Sequence, residues 1–356
     1  MAKLIQHIPV QRVSPNSFDE IIDARAPVEF AEDHITGAIN LPVLWDDERK
    51  QIGTQYKQES AFEARRAGAA LVSGNIGRHL KSHFAGKPES YRPLIYCFRG
   101  GQRSHSLATV LAEVGWEVTL LEGGYKAYRL HVISQIENFS SSIQFQVING
   151  LTGSGKTAVL CELEKSGFPV LDLEAIACHK GSVFGEDPDF PQPSQKRFES
   201  ILFDQLTQLA DDKPKSVFVE AESSKIGKLH LPVSLWNAMR DSPVLEISAP
   251  LDSRVRHLQS EYSEWLTSPD YVIETIDRLQ PFHSCETIAE WKKWAAESNW
   301  AELIGALLTG HYDKNYRPDG NGYFNEPDCQ FELTDHSADS IRQCAEAIAG
   351  KTNQQG

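Results

Sequence analysis

FQVINGLTGSGKT, from Phe145 to Thr157, runs from a short apolar segment through a glycine-rich turn into a helical pattern. Gly150, Gly155, Lys156 and Thr157 satisfy G-x-x-x-x-G-K-[ST], with Gly153 and Ser154 inside the turn. Glycines let successive backbone N–H groups face an oxyanion, and the helix N-terminus behind them favours negative charge. Lys156 is placed to reach outer phosphate oxygens and Thr157 to ligate Mg²⁺ where a metal is used. Strand, phosphate loop and helix in succession predict an α/β domain with a parallel sheet.

The elements downstream agree. A helix is expected through Lys165, strands over 169–173, 216–219 and 243–247, and a tryptophan-rich helical region over 284–308. Phe198, Ile201, Leu202, Leu206 and Leu209 are spaced as one face of a helix. Glu220 and Glu222 stand at the end of the VFVEAE strand, where a nucleotide-binding fold places an acid near Mg²⁺. Arg254 and Arg256 follow the next strand as candidate lid cations, or as arginines on a solvated helix face. The loop thus specifies a phosphate ester more firmly than a nucleotide.

Upstream, YCFRGGQRS (Tyr96–Ser104) has the same strand, turn and helix logic around a cysteine. Inward N–H groups and a following helix favour a thiolate at Cys97, the nucleophilic form. Arg99 and Arg103 add positive charge, with Gly100, Gly101, Gln102 and Ser104 completing an anion-binding loop. The plain alternative is a buried structural cysteine before a tight turn. Strands over 20–23 and 94–96, a helix over 104–114 and a strand over 116–121 give this region its own α/β pattern. The serine-rich NFSSSI (Asn138–Ile143) suits a boundary, so the expected domains are 1–137 and 138–356.

Composition narrows the classes. With 356 residues, 40% of them hydrophobic and 24% charged, the chain suits two globular cores. No run approaches a membrane span and no apolar leader opens the chain, which predicts a cytoplasmic protein with no membrane partner. Six cysteines without a CxxC pair argue against a zinc ribbon or a dithiol redox motif. A net charge of −14 argues against nucleic-acid coating by bulk electrostatics but not against a local basic groove.

DARAPVEFAEDHITGAINLP (Asp23–Pro42), CFRGGQRS and LEGGYKAY (Leu121–Tyr128) resemble the opening, active loop and glycine turn of rhodanese-like sulfurtransferase domains. One departure is the arginine, six residues after the cysteine instead of five, which suits a larger anion and also matches the C-x5-R of cysteine phosphatases. A rhodanese-like module joined to a P-loop module, with YKQES (Tyr56–Ser60), ALVSGNI (Ala70–Ile76) and LLTGHYDKNY (Leu307–Tyr316), resembles the bacterial tRNA 2-selenouridine synthase family over nearly the full length. That resemblance implies a transferase acting on wobble 2-thiouridine of tRNA. The thio-base would be S-geranylated from geranyl diphosphate, and selenium from selenophosphate would then replace sulfur.

The expected fold is accordingly a rhodanese-like parallel-sheet domain followed by a P-loop NTPase-like α/β domain with helical additions. No tightly bound cofactor is expected beyond Mg²⁺ as an option, and a selenophosphate-supplying enzyme is a candidate partner. The P-loop is assigned to the diphosphate, and Cys97, Arg99 and Arg103 to selenium transfer. Trp291, Lys292, Lys293, Trp294 and Trp300, and the stretch His311–Arg317, are candidate tRNA-contacting clusters, with helix packing as the alternative. The rival functions are a P-loop kinase or ATPase with a regulatory rhodanese domain, a cysteine phosphatase lacking the usual histidine before its cysteine, and a non-catalytic anion-sensing scaffold.

Overall fold

In a computed structural model that describes residues 5–13, 17–186, 189–212, 214–316 and 324–354, the chain divides into two units. The first comprises residues 1–136 with 193–204, and the second 137–192 with 205–356.

The first unit begins with β1 (Gln6–Ile8), β2 (Glu20–Asp23), α1 (Pro27–Glu32) and β3 (Ala38–Asn40). The helices α2 (Asp46–Gln58) and α3 (Ala61–Lys81) pack on each other, and β4 (Pro93–Tyr96), α4 (Gln102–Val114), β5 (Thr119–Leu121) and α5 (Gly124–Ser142) follow. The sheet order is β1-β5-β4-β2-β3 with every pair parallel. Parallel strands carry helices on their faces, so β4 is buried along its whole length. Its core joins Ile22, Ile95 and Leu120 of the sheet to Leu107 and Leu111 of α4 and Ile76 of α3.

Asn138–Ile143, expected as a polar boundary, is largely the last turn of α5, and the two units divide just before it, between residues 136 and 137. Ser141 and Ser142 donate back to the carbonyls of Glu137 and Phe139, which satisfies their hydroxyls within the helix. Residues 193–204 join the first unit through buried polar contacts: Ser200 Oγ donates to Asp33 Oδ2 at 3.0 Å, and Tyr125 Oη donates to the same oxygen at 2.8 Å.

The second unit contains β6 (Phe145–Asn149), α6 (Lys156–Lys165), β7 (Val170–Leu171), α7 (Leu173–Ala177) and, from Gln205, the later part of α8 (Gln195–Asp212). Next come β8 (Val217–Glu220), the hairpin β9 (Lys225–Ile226) and β10 (Leu229–His230), α9 (Val233–Arg240), β11 (Val244–Ser248) and α10 (Leu251–Glu261). The helices α11 (Pro269–Asp277), α12 (Cys285–Ala296) and α13 (Trp300–Leu307) lead through a π-helical turn at Leu308–Tyr312 to α14 (Asp313–Tyr316), β12 (Cys329–Glu332) and α15 (Ala338–Gln354). The sheet order is β12-β11-β6-β8-β7, again parallel throughout. The predicted strand over 169–173 is shorter than expected, because Asp172 accepts from the Ala175 N–H and starts α7. Both units are α/β with parallel sheets, and the helical additions are α11 to α13.

Candidate functional site

Cys97 stands where β4 ends, and α4 begins five residues later. Its Sγ accepts hydrogen bonds from the Gly101 N–H and the Ser104 hydroxyl, both at 3.2 Å. The LEGGYKAY turn sets this geometry. Tyr125 N–H donates to the Cys97 carbonyl at 2.8 Å and Lys126 N–H to the Phe98 carbonyl at 2.9 Å. A Cβ on Gly124 would lie 2.2 Å from the Cys97 carbonyl oxygen, and its φ of +59° is left-handed, so only glycine fits there.

The loop cations are placed differently from each other. Arg99 is exposed, with its guanidinium carbon 5.7 Å from the Phe98 ring centroid. Arg103 is held by Glu29 of α1 through two bonds, at 2.5 and 3.2 Å. Burial opposes the Glu29 carboxylate, but this pairing wins and holds its pKa below the ordinary range. Gly100, Gly101, Gln102 and Ser104 complete the turn into α4.

The second loop leaves β6 and enters α6. A Cβ on Gly150, whose φ is +155°, would meet the Ile247 carbonyl oxygen at 2.3 Å. Lys156 Nζ donates to the Gly150 carbonyl at 3.0 Å, and Thr157 donates to Glu220 Oε1 at 2.6 Å. Gly153, Gly155, Lys156 and Thr157 line a cavity of 310 Å³ together with Glu174, Glu220 and Glu222. Ser154 is buried behind the loop.

Oxygens of Glu174, Glu220 and Glu222 all lie within 4.8 Å of one another. Burial and mutual repulsion push the three carboxyls up, Glu220 to about 7. Glu220 and Glu222 are legible in the sequence at the strand end. Glu174, from the short α7, is not, and neither is Lys180, which lines the same cavity with Nζ 3.2 Å from Glu261.

Arg254 is 4% exposed, and it works as a strut beneath the loop. Its Nε donates to the Thr152 carbonyl at 2.8 Å, and its terminal nitrogens grip Asp313 at 2.6 and 3.0 Å. Arg256 pairs with Asp252 on the solvated side of α10.

Trp291 is buried in the core of α11 to α13, with Trp294 and Trp300 packed against it. Lys292 and Lys293 pair with Asp277 and Glu297. His311 is buried and bonded to His283 at 2.9 Å, while Arg317 lies outside the described residues. Helix packing thus accounts for the tryptophans.

An apolar slot opens beside the phosphate cavity. It is bordered by Trp265, by Leu266, and by Leu303, Ile304 and Leu307 of α13. Among the described residues no helix is long and apolar enough to cross a membrane.

A family model described as a rhodanese-like domain matches residues 10–131, and one described as the tRNA 2-selenouridine synthase AAA domain matches residues 143–286. The tRNA 2-selenouridine synthase of Nitrosomonas europaea is 40% identical over 290 residues, covering 81% of this chain and 74% of the relative. That of Bdellovibrio bacteriovorus is 43% identical over 248 residues, covering 68% and 64%. That of Marinobacter nauticus is 33% identical over 329 residues, covering 83% and 87%. With a cysteine loop and a phosphate loop each built on its own parallel sheet, and these relatives matched across both, the chain belongs to the tRNA 2-selenouridine synthase family.

Proposed function

We propose that this chain converts wobble 2-thiouridine of tRNA to 2-selenouridine in the cytoplasm, through an S-geranylated intermediate. The observation that supports the reading is the cavity of about 310 Å³ lined by Gly153, Gly155, Lys156 and Thr157 at the N-terminus of α6, where a phosphate group is favoured.

In the first step the sulfur of the base attacks C1 of geranyl diphosphate. The C1–O bond breaks, its electron pair leaves with the diphosphate, and the N3 proton of the base goes to solvent. Lys156 and the loop amides stabilise the charge that grows on the leaving group. In the second step selenium of selenophosphate attacks C2 of the base and geranylthiol leaves with a proton. Water then cleaves the Se–P bond and releases phosphate. Cys97, with the Gly101 and Ser104 donors around Sγ, the exposed Arg99, and Arg103 as Glu29 positions it are assigned to this anionic donor.

P-loop folds commonly carry Mg²⁺, and the donor set fits it. Thr157 is already bonded to Glu220, and the carboxylates of Glu174 and Glu222 stand beside it, a hard oxygen set of the kind that cation prefers. These four residues would hold it, and the ion would supply positive charge beside the diphosphate.

The test is nucleoside mass spectrometry of 2-thiouridine tRNA incubated with the purified chain. Geranyl diphosphate alone should give the S-geranyl nucleoside, and added selenophosphate should give 2-selenouridine. Unchanged tRNA together with steady ATP hydrolysis would favour the kinase or ATPase reading.

A further inference from the structure

The phosphate cavity and the apolar slot adjoin, and polarity falls from the first to the second. They share Thr152, Ser182, Leu258, Tyr262 and Tyr312. Every hydroxyl-bearing residue of the slot is among those shared ones, and the rest of its lining is aliphatic or aromatic. The junction lies directly at the phosphate loop, since a Cβ on Gly153 would sit 2.9 Å from the Leu258 side chain. At the same junction the Tyr312 hydroxyl is fully buried, close to Ser182. The π-helical turn that carries Tyr312 is an irregularity often found at functional sites.

From this gradient we infer that the slot bordered by Trp265, Ile304 and Leu307 is a chain-length gauge, seating the distal end of an acyclic hydrocarbon whose diphosphate occupies the glycine loop. The inference deepens the function proposed above and rests on its assignment of the diphosphate. A purely polar phosphoester would leave the slot empty, whereas an amphiphilic one covers both ends of the space. Size decides the class of tail. The slot, at about 70 Å³, is small beside the 310 Å³ phosphate cavity, which favours a slender hydrocarbon end over a bulky one. In a ten-carbon prenyl diphosphate the proximal unit would lie at the shared mouth, and the Tyr312 hydroxyl would face the phosphate nearest C1.

Two half-buried positions test this without touching the phosphate loop. Full-length wild type should bind geranyl diphosphate at least tenfold more tightly than inorganic pyrophosphate in calorimetry. Ile304→Trp, which fills the slot, should erase most of that gain while changing pyrophosphate affinity less than twofold. Trp265→Ala, which enlarges it, should shift the preference toward a fifteen-carbon chain at least fivefold relative to wild type. Equal loss of both ligands in Ile304→Trp, or an unchanged chain-length preference in Trp265→Ala, overturns the gauge. The underlying proposal fails differently: tail-dependent binding with no geranylation of tRNA leaves the gauge standing and removes the reaction. Absence of pyrophosphate binding removes both.

Discussion

Replacing Glu220 by glutamine should stabilise the protein at pH 8 in the absence of divalent cations. Glu220 is 1% exposed, and burial raises its pKa from the ordinary 4.5 to about 7. The folded chain therefore binds this proton more tightly than the unfolded chain. Its contribution to stability is fully present below pH 4.5 and is lost as pH rises through 7. A shift of that size corresponds to about 3 kcal/mol. Glutamine removes the charge but keeps an oxygen to accept the Thr157 hydroxyl, at a loss of about 1 kcal/mol for the weaker bond. The net expectation is about 2 kcal/mol of stabilisation at pH 8, vanishing near pH 5. Urea unfolding followed by tryptophan fluorescence reads this out, since Trp236, Trp265, Trp291, Trp294 and Trp300 all lie in the second unit. Added Mg²⁺ should reverse the order by stabilising wild type and leaving the variant unchanged. A variant destabilised equally at pH 5 and pH 8 would refute the argument that a buried, repelled carboxylate limits the stability of this site.

Other perturbations address the two loops separately. Gly124→Ala puts a Cβ against the Cys97 carbonyl at a left-handed φ, so it should cost about 2–4 kcal/mol in thermal unfolding and change the alkylation rate of Cys97. Arg254→Ala removes the strut between Thr152 and Asp313; a loss of about 3 kcal/mol and at least tenfold weaker pyrophosphate binding are expected. Arg254→Lys should not rescue it, because a single ammonium lacks the fork that reaches both partners. Glu29→Gln weakens the hold on Arg103 and should slow selenium transfer, read as 2-selenouridine formed from pre-geranylated tRNA, while geranylation keeps its rate.

Both glycine turns are legible in the amino-acid sequence because their chemistry is local. A left-handed or crowded backbone position demands glycine, and the motif follows in sequence order. Glu220 is visible for the same reason, at the end of an apolar strand. Glu174 is hidden, since a single glutamate in a five-residue helix after a two-residue strand carries no periodic signal. Arg254 reads as a lid cation or a solvated helix arginine because its partner Asp313 lies 59 residues away, and the local pattern does not reveal its burial. The tryptophans of α12 and α13 leave a stacking surface and helix packing both open in the sequence, because aromatic residues serve cores and nucleic acids alike; contacts among α11, α12 and α13 decide for the core. The placement of residues 193–204 in the first unit is equally hidden, because the Ser200–Asp33 bond spans 167 positions.

The division of labour between the two loops is tested most directly by nucleoside analysis of tRNA treated with Cys97→Ser and with Lys156→Ala, given both donors. Accumulation of S-geranyl-2-thiouridine with Cys97→Ser, and untouched 2-thiouridine with Lys156→Ala, is the predicted pair of results. Normal geranylation by Lys156→Ala, or no geranylated product with Cys97→Ser, would contradict it.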